Sequence, residues 1–199
     1  WSFVSRTDRI RANRLRDRLK EGDLPKHVSI IMDGNRRFAW NSQLDRDVGH
    51  SHGKEKLKEV MDWILDLEIP YFTVYALSTE NISERSEEEL ESLYDLYVSG
   101  LTEISEDPKI HSRRVRVQAV GRLDLLPERV REAIRVAEGS TSEYSDFLFT
   151  VCLAYGGREE IVDAVRDVAA AHAEGEISLD SIDTEQISRR MYTSNLPDP

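Results

Sequence analysis

Apolar residues along this chain follow two spacings that alternate. Four short runs rich in β-branched and aromatic side chains, Val28–Met32, Tyr71–Leu77, Val115–Val120 and Phe147–Ala154, read as buried strands. Between them the apolar positions recur every three or four residues, the spacing of one helix face. One such face carries Leu57, Val60, Met61, Ile64 and Leu65. Glu87–Ile104 carries Leu90, Leu93, Tyr94, Tyr97, Leu101 and Ile104. Pro127–Glu138 turns Val130, Ile134 and Ala137 inward, with Gly139 just past its end, and Glu159–His172 turns in Ile161, Val162, Val165 and Val168. An arginine-rich helix is expected over residues 6–20, a polar loop over Gly175–Asp183 and a last short helix over Thr184–Tyr192. Strand and helix alternate, and the connections are too long for hairpins. The fold class is therefore α/β, with a mostly parallel central sheet flanked by helices on both sides.

The breaks in this pattern hold the candidate chemistry. The first strand runs into Asp33-Gly34-Asn35, then Arg36, Arg37 and Phe38. A carboxylate followed by glycine and two guanidinium groups at the carboxyl end of a buried strand suits a metal and a phosphate, because ligands of open α/β sheets sit at that end. Taken alone, Asp-Gly-Asn is also an ordinary turn. A polar stretch, Asn41–Val48, contains Arg46 and leads to Gly49-His50-Ser51-His52-Gly53, which opens the next helix. Neither histidine belongs to a zinc pattern. His50, beside a glycine at a helix start, is placed to donate to a phosphate. The second strand ends in Ser78-Thr79-Glu80-Asn81, which repeats the layout at Asp33, although Ser78 or Asn81 also suits a helix cap. The fourth strand ends in Tyr155-Gly156-Gly157-Arg158.

Composition narrows the class. At 199 residues, with 39% hydrophobic and 33% charged residues, the chain reads as one globular domain. No apolar run approaches the ~18 residues of a membrane span, and no signal peptide is evident. Cys152, the only cysteine, lies in an apolar run and reads as a core residue of a reducing, cytoplasmic compartment. The net charge of -11 argues against general nucleic-acid binding. Only six of the 27 basic residues are lysine, and this acidic, lysine-poor balance suits solubility in high salt, as in halophiles. Residues 1–26 depart from it, with eight Lys/Arg against four Asp/Glu. They form a basic N-terminal helix ahead of the domain at 27–199. A solvated helix is the plainer reading, and peripheral contact with anionic lipid the functional one. The start at Trp1 and the stop at Leu196-Pro197-Asp198-Pro199 suggest that both ends are cut, with the C-terminal part missing.

Together, H-V-S-I-I-M-D-G-N-R-R from His27, Gly49-His50 with Gly53, S-T-E-N from Ser78 and Y-G-G-R from Tyr155 resemble the cis-prenyltransferases, such as undecaprenyl and dehydrodolichyl diphosphate synthases. The similarity runs from about His27 to the end, in the family's order and spacing; an archaeal, halophilic member would fit the composition. The resemblance implies a homodimer whose sheet and two long helices enclose an apolar tunnel. It implies Mg²⁺-dependent stepwise addition of isopentenyl diphosphate to an allylic diphosphate, farnesyl or geranylgeranyl diphosphate, to give a long-chain polyprenyl diphosphate. By position, Asp33 is the metal-binding catalytic aspartate, and Gly34, Asn35, Arg36, Arg37 and Phe38 form the allylic diphosphate site. Arg46 and His50 are further diphosphate contacts. Ser78, Thr79, Glu80, Asn81, Ile82 and Arg85 complete the substrate-binding set, and Asn81 is the residue often assigned to proton removal. The helix at Glu87–Ile104 becomes part core and part tunnel wall, and the small Ala76 leaves room for a long product.

These residue types suit the chemistry. Negative charge builds on the departing diphosphate, where Mg²⁺ and the guanidinium groups of Arg37 and Arg46 would lower the barrier. A neutral amide accepts a proton poorly, so Asn81 is expected to orient isopentenyl diphosphate, with a diphosphate oxygen or His50 taking the proton. The chain departs from the family at three places. Ile82 stands where an aromatic is usual, and Arg85 lies four residues past Asn81. Ala154 replaces an asparagine before Y-G-G-R. The chain also stops before an R-x-x-x-E-x-R-x-S-type segment, so it is expected to bind an allylic diphosphate better than it elongates one. The alternatives are a non-catalytic scaffold subunit of the same fold, which tends to lose the Asp-Gly-Asn-x-Arg signature intact here, and an unrelated phosphate-binding α/β module.

Overall fold

Strands form where β-branched and aromatic residues can be covered on both faces. β1 (His27–Ile31), β2 (Tyr71–Tyr75), β3 (Val115–Val120) and β4 (Phe147–Cys152) make one parallel sheet in the order β1-β2-β4-β3. The computed structural model describes residues 6–43 and 46–199, without the side chains of residues 6–10, 12, 13, 46 and 47. The helices are α1 (Arg6–Lys20), α2 (Asn35–Asn41), α3 (Arg46–Asp66), α4 (Thr79–Glu84), α5 (Glu87–Glu106), α6 (Pro108–Ser112), α7 (Glu128–Thr141), α8 (Gly157–Ala173) and α9 (Thr184–Ser188).

The two faces of the sheet differ. Phe72 and Phe149 are register partners and stack at 5.5 Å on the face under α3, α5 and α7, where the main hydrophobic core lies. Side chains alternate along a strand, so Thr73, Thr150 and Cys152 point the other way. Around His27, Thr73 and Thr150 that second face is buried but polar. The Pro197 carbonyl can only accept, so His27 Nδ1 donates to it at 2.6 Å, and the Thr73 hydroxyl donates to His27 Nε2 at 2.8 Å. The Gln118 amide donates to Thr150 Oγ1 at 2.9 Å and accepts from Asn195 Nδ2 at 3.2 Å. Cys152 is fully buried there, and burial followed by the charge of Glu160 pushes its thiol up to about 12, which fits the core role expected of it.

Several boundaries differ from those the periodicity predicts. The stretch 41–48 is not one polar loop, because α2 runs to Asn41 and α3 starts at Arg46. The Ser78 turn continues as α4, and α6 adds a short helix before β3. α7 passes through Gly139 to Thr141, and the last helix stops at Ser188 rather than Tyr192. The extra turn of α7 has a function in the sheet. Thr141 Oγ1 accepts the Val117 N–H at 3.0 Å and Glu138 Oε1 accepts that of Ala119 at 2.8 Å, so side chains of α7 cover the donors of edge strand β3.

Candidate active site

Parallel pairing brings three of the four sequence motifs to one edge of the sheet. Past β1, the Met32 N–H donates to the Tyr75 carbonyl at 3.0 Å, and the chain turns at Asp33. Gly34 adopts φ +89°, a left-handed conformation that favours glycine, and stands at the N-cap of α2. Asp33 Oδ1 accepts the Gly34 N–H at 2.6 Å, and the carboxylate is exposed at the strand end. Past β2, Ser78 Oγ accepts the Asn81 N–H at 3.1 Å and caps α4, so the plain capping role expected of Ser78 is real. Past β4, Ala154 is fully buried with φ +49°, and Tyr155 bridges to Ser78. An asparagine would tolerate that left-handed backbone better than the alanine that stands here.

The fourth motif joins them through α3. His50 does not stand at a helix start, because α3 begins a full turn earlier at Arg46, so its candidacy as a diphosphate contact rests on its place beside the cavity and not on a helix N-terminus. The glycines beside it serve close packing. An added Cβ at Gly49 would lie 2.7 Å from the Asn35 carbonyl oxygen and 2.8 Å from Ala39 Cβ, and one at Gly53 would lie 2.7 Å from Asn35 Nδ2. One helical turn apart, they form a groove for Asn35 at the start of α2. Phe38, half exposed, lies against His52 at 5.8 Å. Arg37 and Glu80 are exposed, Thr79 and Asn81 are partly buried, and Ile82 packs on the core. The Arg46 side chain lies outside the described residues.

Glu89, in the first turn of α5, carries no distinguishing signal in the sequence, yet its side chain is only 4% exposed. Arg85 Nη1 donates to Glu89 Oε1, Arg36 Nε lies 3.6 Å from that oxygen and His50 Nε2 lies 3.9 Å from it. Its acidic neighbours Glu87 and Glu88 make it look like ordinary first-turn charge on a helix, which is why the sequence does not mark it.

Asn35, His50 and Arg85 stand at the polar mouth of an apolar cavity of about 120 Å³ beneath α3 and α5. Met32, Ala76, Leu93, Leu96 and Tyr97 line its walls, and the Tyr97 hydroxyl donates to the Ala76 carbonyl at 3.0 Å. A second cavity of about 290 Å³ adjoins it and shares Lys54, Leu57, Gly100, Ile104 and Phe149. The expected division of α5 is partial: all four residues pack in or against the core, and of them Leu93 and Tyr97 also line the cavity.

The chain matches the model of the prenyltransferase family described as undecaprenyl diphosphate synthase over residues 31–199. A tritrans,polycis-undecaprenyl-diphosphate synthase (geranylgeranyl-diphosphate specific) of Methanopyrus kandleri is 49% identical over 93% of this chain and 68% of its own length. The synthase of the same description from Thermococcus kodakarensis is 45% identical over 93% of this chain and 70% of its own. Lavandulyl diphosphate synthase from Lavandula x intermedia, solved in complex with dimethylallyl diphosphate, superposes with a TM-score of 0.81 at 33% identity, covering 85% of this chain and 71% of that one. The expectation that the chain binds an allylic diphosphate better than it elongates one is not borne out by these comparisons. Motifs, sheet and apolar cavity agree with them, and the chain belongs to the undecaprenyl diphosphate synthase family of cis-prenyltransferases.

Proposed function

We propose that this chain adds isopentenyl diphosphate stepwise to geranylgeranyl diphosphate, each new double bond being cis. The observation that carries this reading is the apolar cavity with Asn35, His50 and Arg85 at its mouth, which matches a prenyl tail joined to a diphosphate. Geranylgeranyl diphosphate is favoured over farnesyl diphosphate by the described specificity of the archaeal relatives. In each cycle the allylic C–O bond breaks with its electron pair leaving on the diphosphate. The isopentenyl double bond forms the new C–C bond, and a proton is lost to a diphosphate oxygen or to His50.

Asp33 would hold Mg²⁺, which when bound neutralises charge on the departing diphosphate. The donor set fits: an exposed carboxylate keeps one oxygen clear of its Gly34 bond, and magnesium ordinarily takes one or two carboxylates plus substrate phosphates. Gly34, Asn35, Arg36, Arg37, Phe38, Arg46, His50 and Arg85 would bind the allylic diphosphate. Ser78, Thr79, Glu80 and Asn81 would orient isopentenyl diphosphate, with Ile82 behind them. Residues 27–199 would form the catalytic domain, and the basic segment 1–26 would rest on anionic lipid at the cytoplasmic membrane face. Support for that contact comes from exposed Leu15 and Leu19 among arginines of α1. Of the four α8 residues expected to face inward only Val168 is buried, with Ala164 and Ala171 beside it, whereas Ile161, Val162 and Val165 are exposed; this uncovered apolar face supports a homodimer.

The test is incorporation of labelled isopentenyl diphosphate with Mg²⁺ and each starter. Long products are expected from geranylgeranyl diphosphate, with Asp33→Ala slower by about 10²–10³-fold, the usual loss for one electrostatic partner of a transition state. Equal rates for the two proteins, each folded, would overturn the assignment of Asp33.

A further inference from the structure

We infer that Glu89 is a positioning residue for the allylic substrate: its buried carboxylate fixes Arg85 so that the free side of the guanidinium meets the diphosphate at the cavity mouth. The inference rests on the reading of the site proposed above. A carboxylate taken out of water is strongly unfavourable unless it is paired. Glu89 has basic side chains from three elements within 4 Å, the guanidinium groups of Arg36 on α2 and Arg85 at the end of α4 and the imidazole of His50 on α3. It is therefore fixed in space although it belongs to a first helical turn.

Arg85 shows what the arrangement achieves. Its side chain is 13% exposed and lines the cavity mouth, and one terminal nitrogen donates to Glu89. Its Nε is buried with no hydrogen-bond partner among the described residues. A guanidinium is planar, so holding one nitrogen on a fixed carboxylate also fixes the direction of the remaining N–H groups. A buried donor without an acceptor is unfavourable, and an incoming anion would satisfy it. Arg36, 57% exposed beside the same carboxylate, adds a second guanidinium, so the mouth still attracts a diphosphate despite Glu89. Glu89 need not touch the substrate; it acts through Arg85.

The experiment measures KM for each substrate, kcat, and calorimetric binding of geranylgeranyl diphosphate alone, for the wild type, Glu89→Ala, Glu89→Asp and Glu89→Gln, each with its melting temperature. Glu89→Ala is expected to raise the allylic KM about tenfold, equivalent to about 1.4 kcal/mol, while KM for isopentenyl diphosphate moves less than about twofold. Glu89→Gln keeps an acceptor for Arg85 and is expected to stay within about threefold of the wild type. Glu89→Asp withdraws the carboxylate by one methylene and should raise the allylic KM severalfold, which keeps the test decisive if the alanine variant does not fold. Equal rises in both KM values, unchanged allylic binding, or no rescue by glutamine would overturn the inference. Absence of allylic binding in the wild type would instead overturn the reading of the site itself.

Discussion

Gly53 and Asn35 show how much one hydrogen atom in place of a methyl group decides. A methyl at Gly53 would press on the Asn35 side-chain amide, which can swing away, whereas one at Gly49 would strike the Asn35 carbonyl and Ala39 Cβ, which cannot. Gly53→Ala should therefore fold at least as well as the wild type, helped by the ~1 kcal/mol helix preference of alanine over glycine. It should lose about tenfold in kcat/KM for the allylic diphosphate as Asn35 leaves the mouth. Gly49→Ala should lose about 1–3 kcal/mol of stability, the range for overpacking. Urea titration alongside elongation rates checks both, and a Gly53→Ala enzyme with unchanged kinetics would remove Asn35 from the site. The two glycines are visible in the sequence. Their purpose is not, because the clash they avoid is with a residue on another helix.

Helix ends explain most of the boundary differences. α3 closes with the Ile69 N–H donating to the Ile64 carbonyl at 3.1 Å and the Glu68 N–H to that of Leu65 at 3.2 Å, while Glu68 holds φ +59°. This is a Schellman end, in which glycine usually takes the left-handed position, as Gly175 does after α8. Glu68→Gly should relieve the backbone and raise stability by about 0.5–1 kcal/mol, the left-handed strain less the chain entropy of glycine. The lost partner, Lys20 at 3.4 Å, is an exposed pair of little value. A melting temperature no higher than that of the wild type would refute this. α2 escapes pattern reading for a different reason: seven residues are too few to display a period, and its N-cap glycine offers no side-chain signal.

At the scale of the molecule, the cavity exists because α3 and α5 stand apart on the sheet, and charged groups bridge the gap. From α3 to α5, Lys54 donates to Ser99 at 3.0 Å and to Glu103 at 2.5 Å and Lys58 lies 2.8 Å from Glu103, while Lys109 of α6 lies 2.7 Å from Asp62 of α3. Burial pushes the Glu103 carboxyl up, but hydrogen bonds from Lys54, Lys58 and Ser99 outweigh it and leave the group at about 2. A depressed carboxylate stabilises the fold above its unfolded value of about 4.3, and that contribution is lost as pH falls toward about 2. Between those limits the wild type should lose more stability than Glu103→Gln, which binds no proton in the window. Parallel denaturation curves at pH 5, 4, 3 and 2 measure it, and equal losses would count against the clasp.

The four strands, their parallel arrangement, the four longer helices that follow them and the four motifs are legible in the amino-acid order, because each depends on neighbours within one element or one turn. Asp33, Ser78 and Tyr155 could be assigned to strand ends in this way, and parallel pairing then gathers them at one edge of the sheet. Packing between elements set the rest: that His50 faces inward from the second turn of α3, that Asn35 lies in a glycine groove, and that Glu89 is the buried carboxylate of the mouth. It also decided which half of the α5 stripe borders a cavity, since Leu93 and Leu90 read alike in sequence and differ only in what stands across from them. The physical reason is common to all four. Each depends on the separation of two elements distant along the chain, and local periodicity specifies the face that a residue occupies but not the surface that covers it.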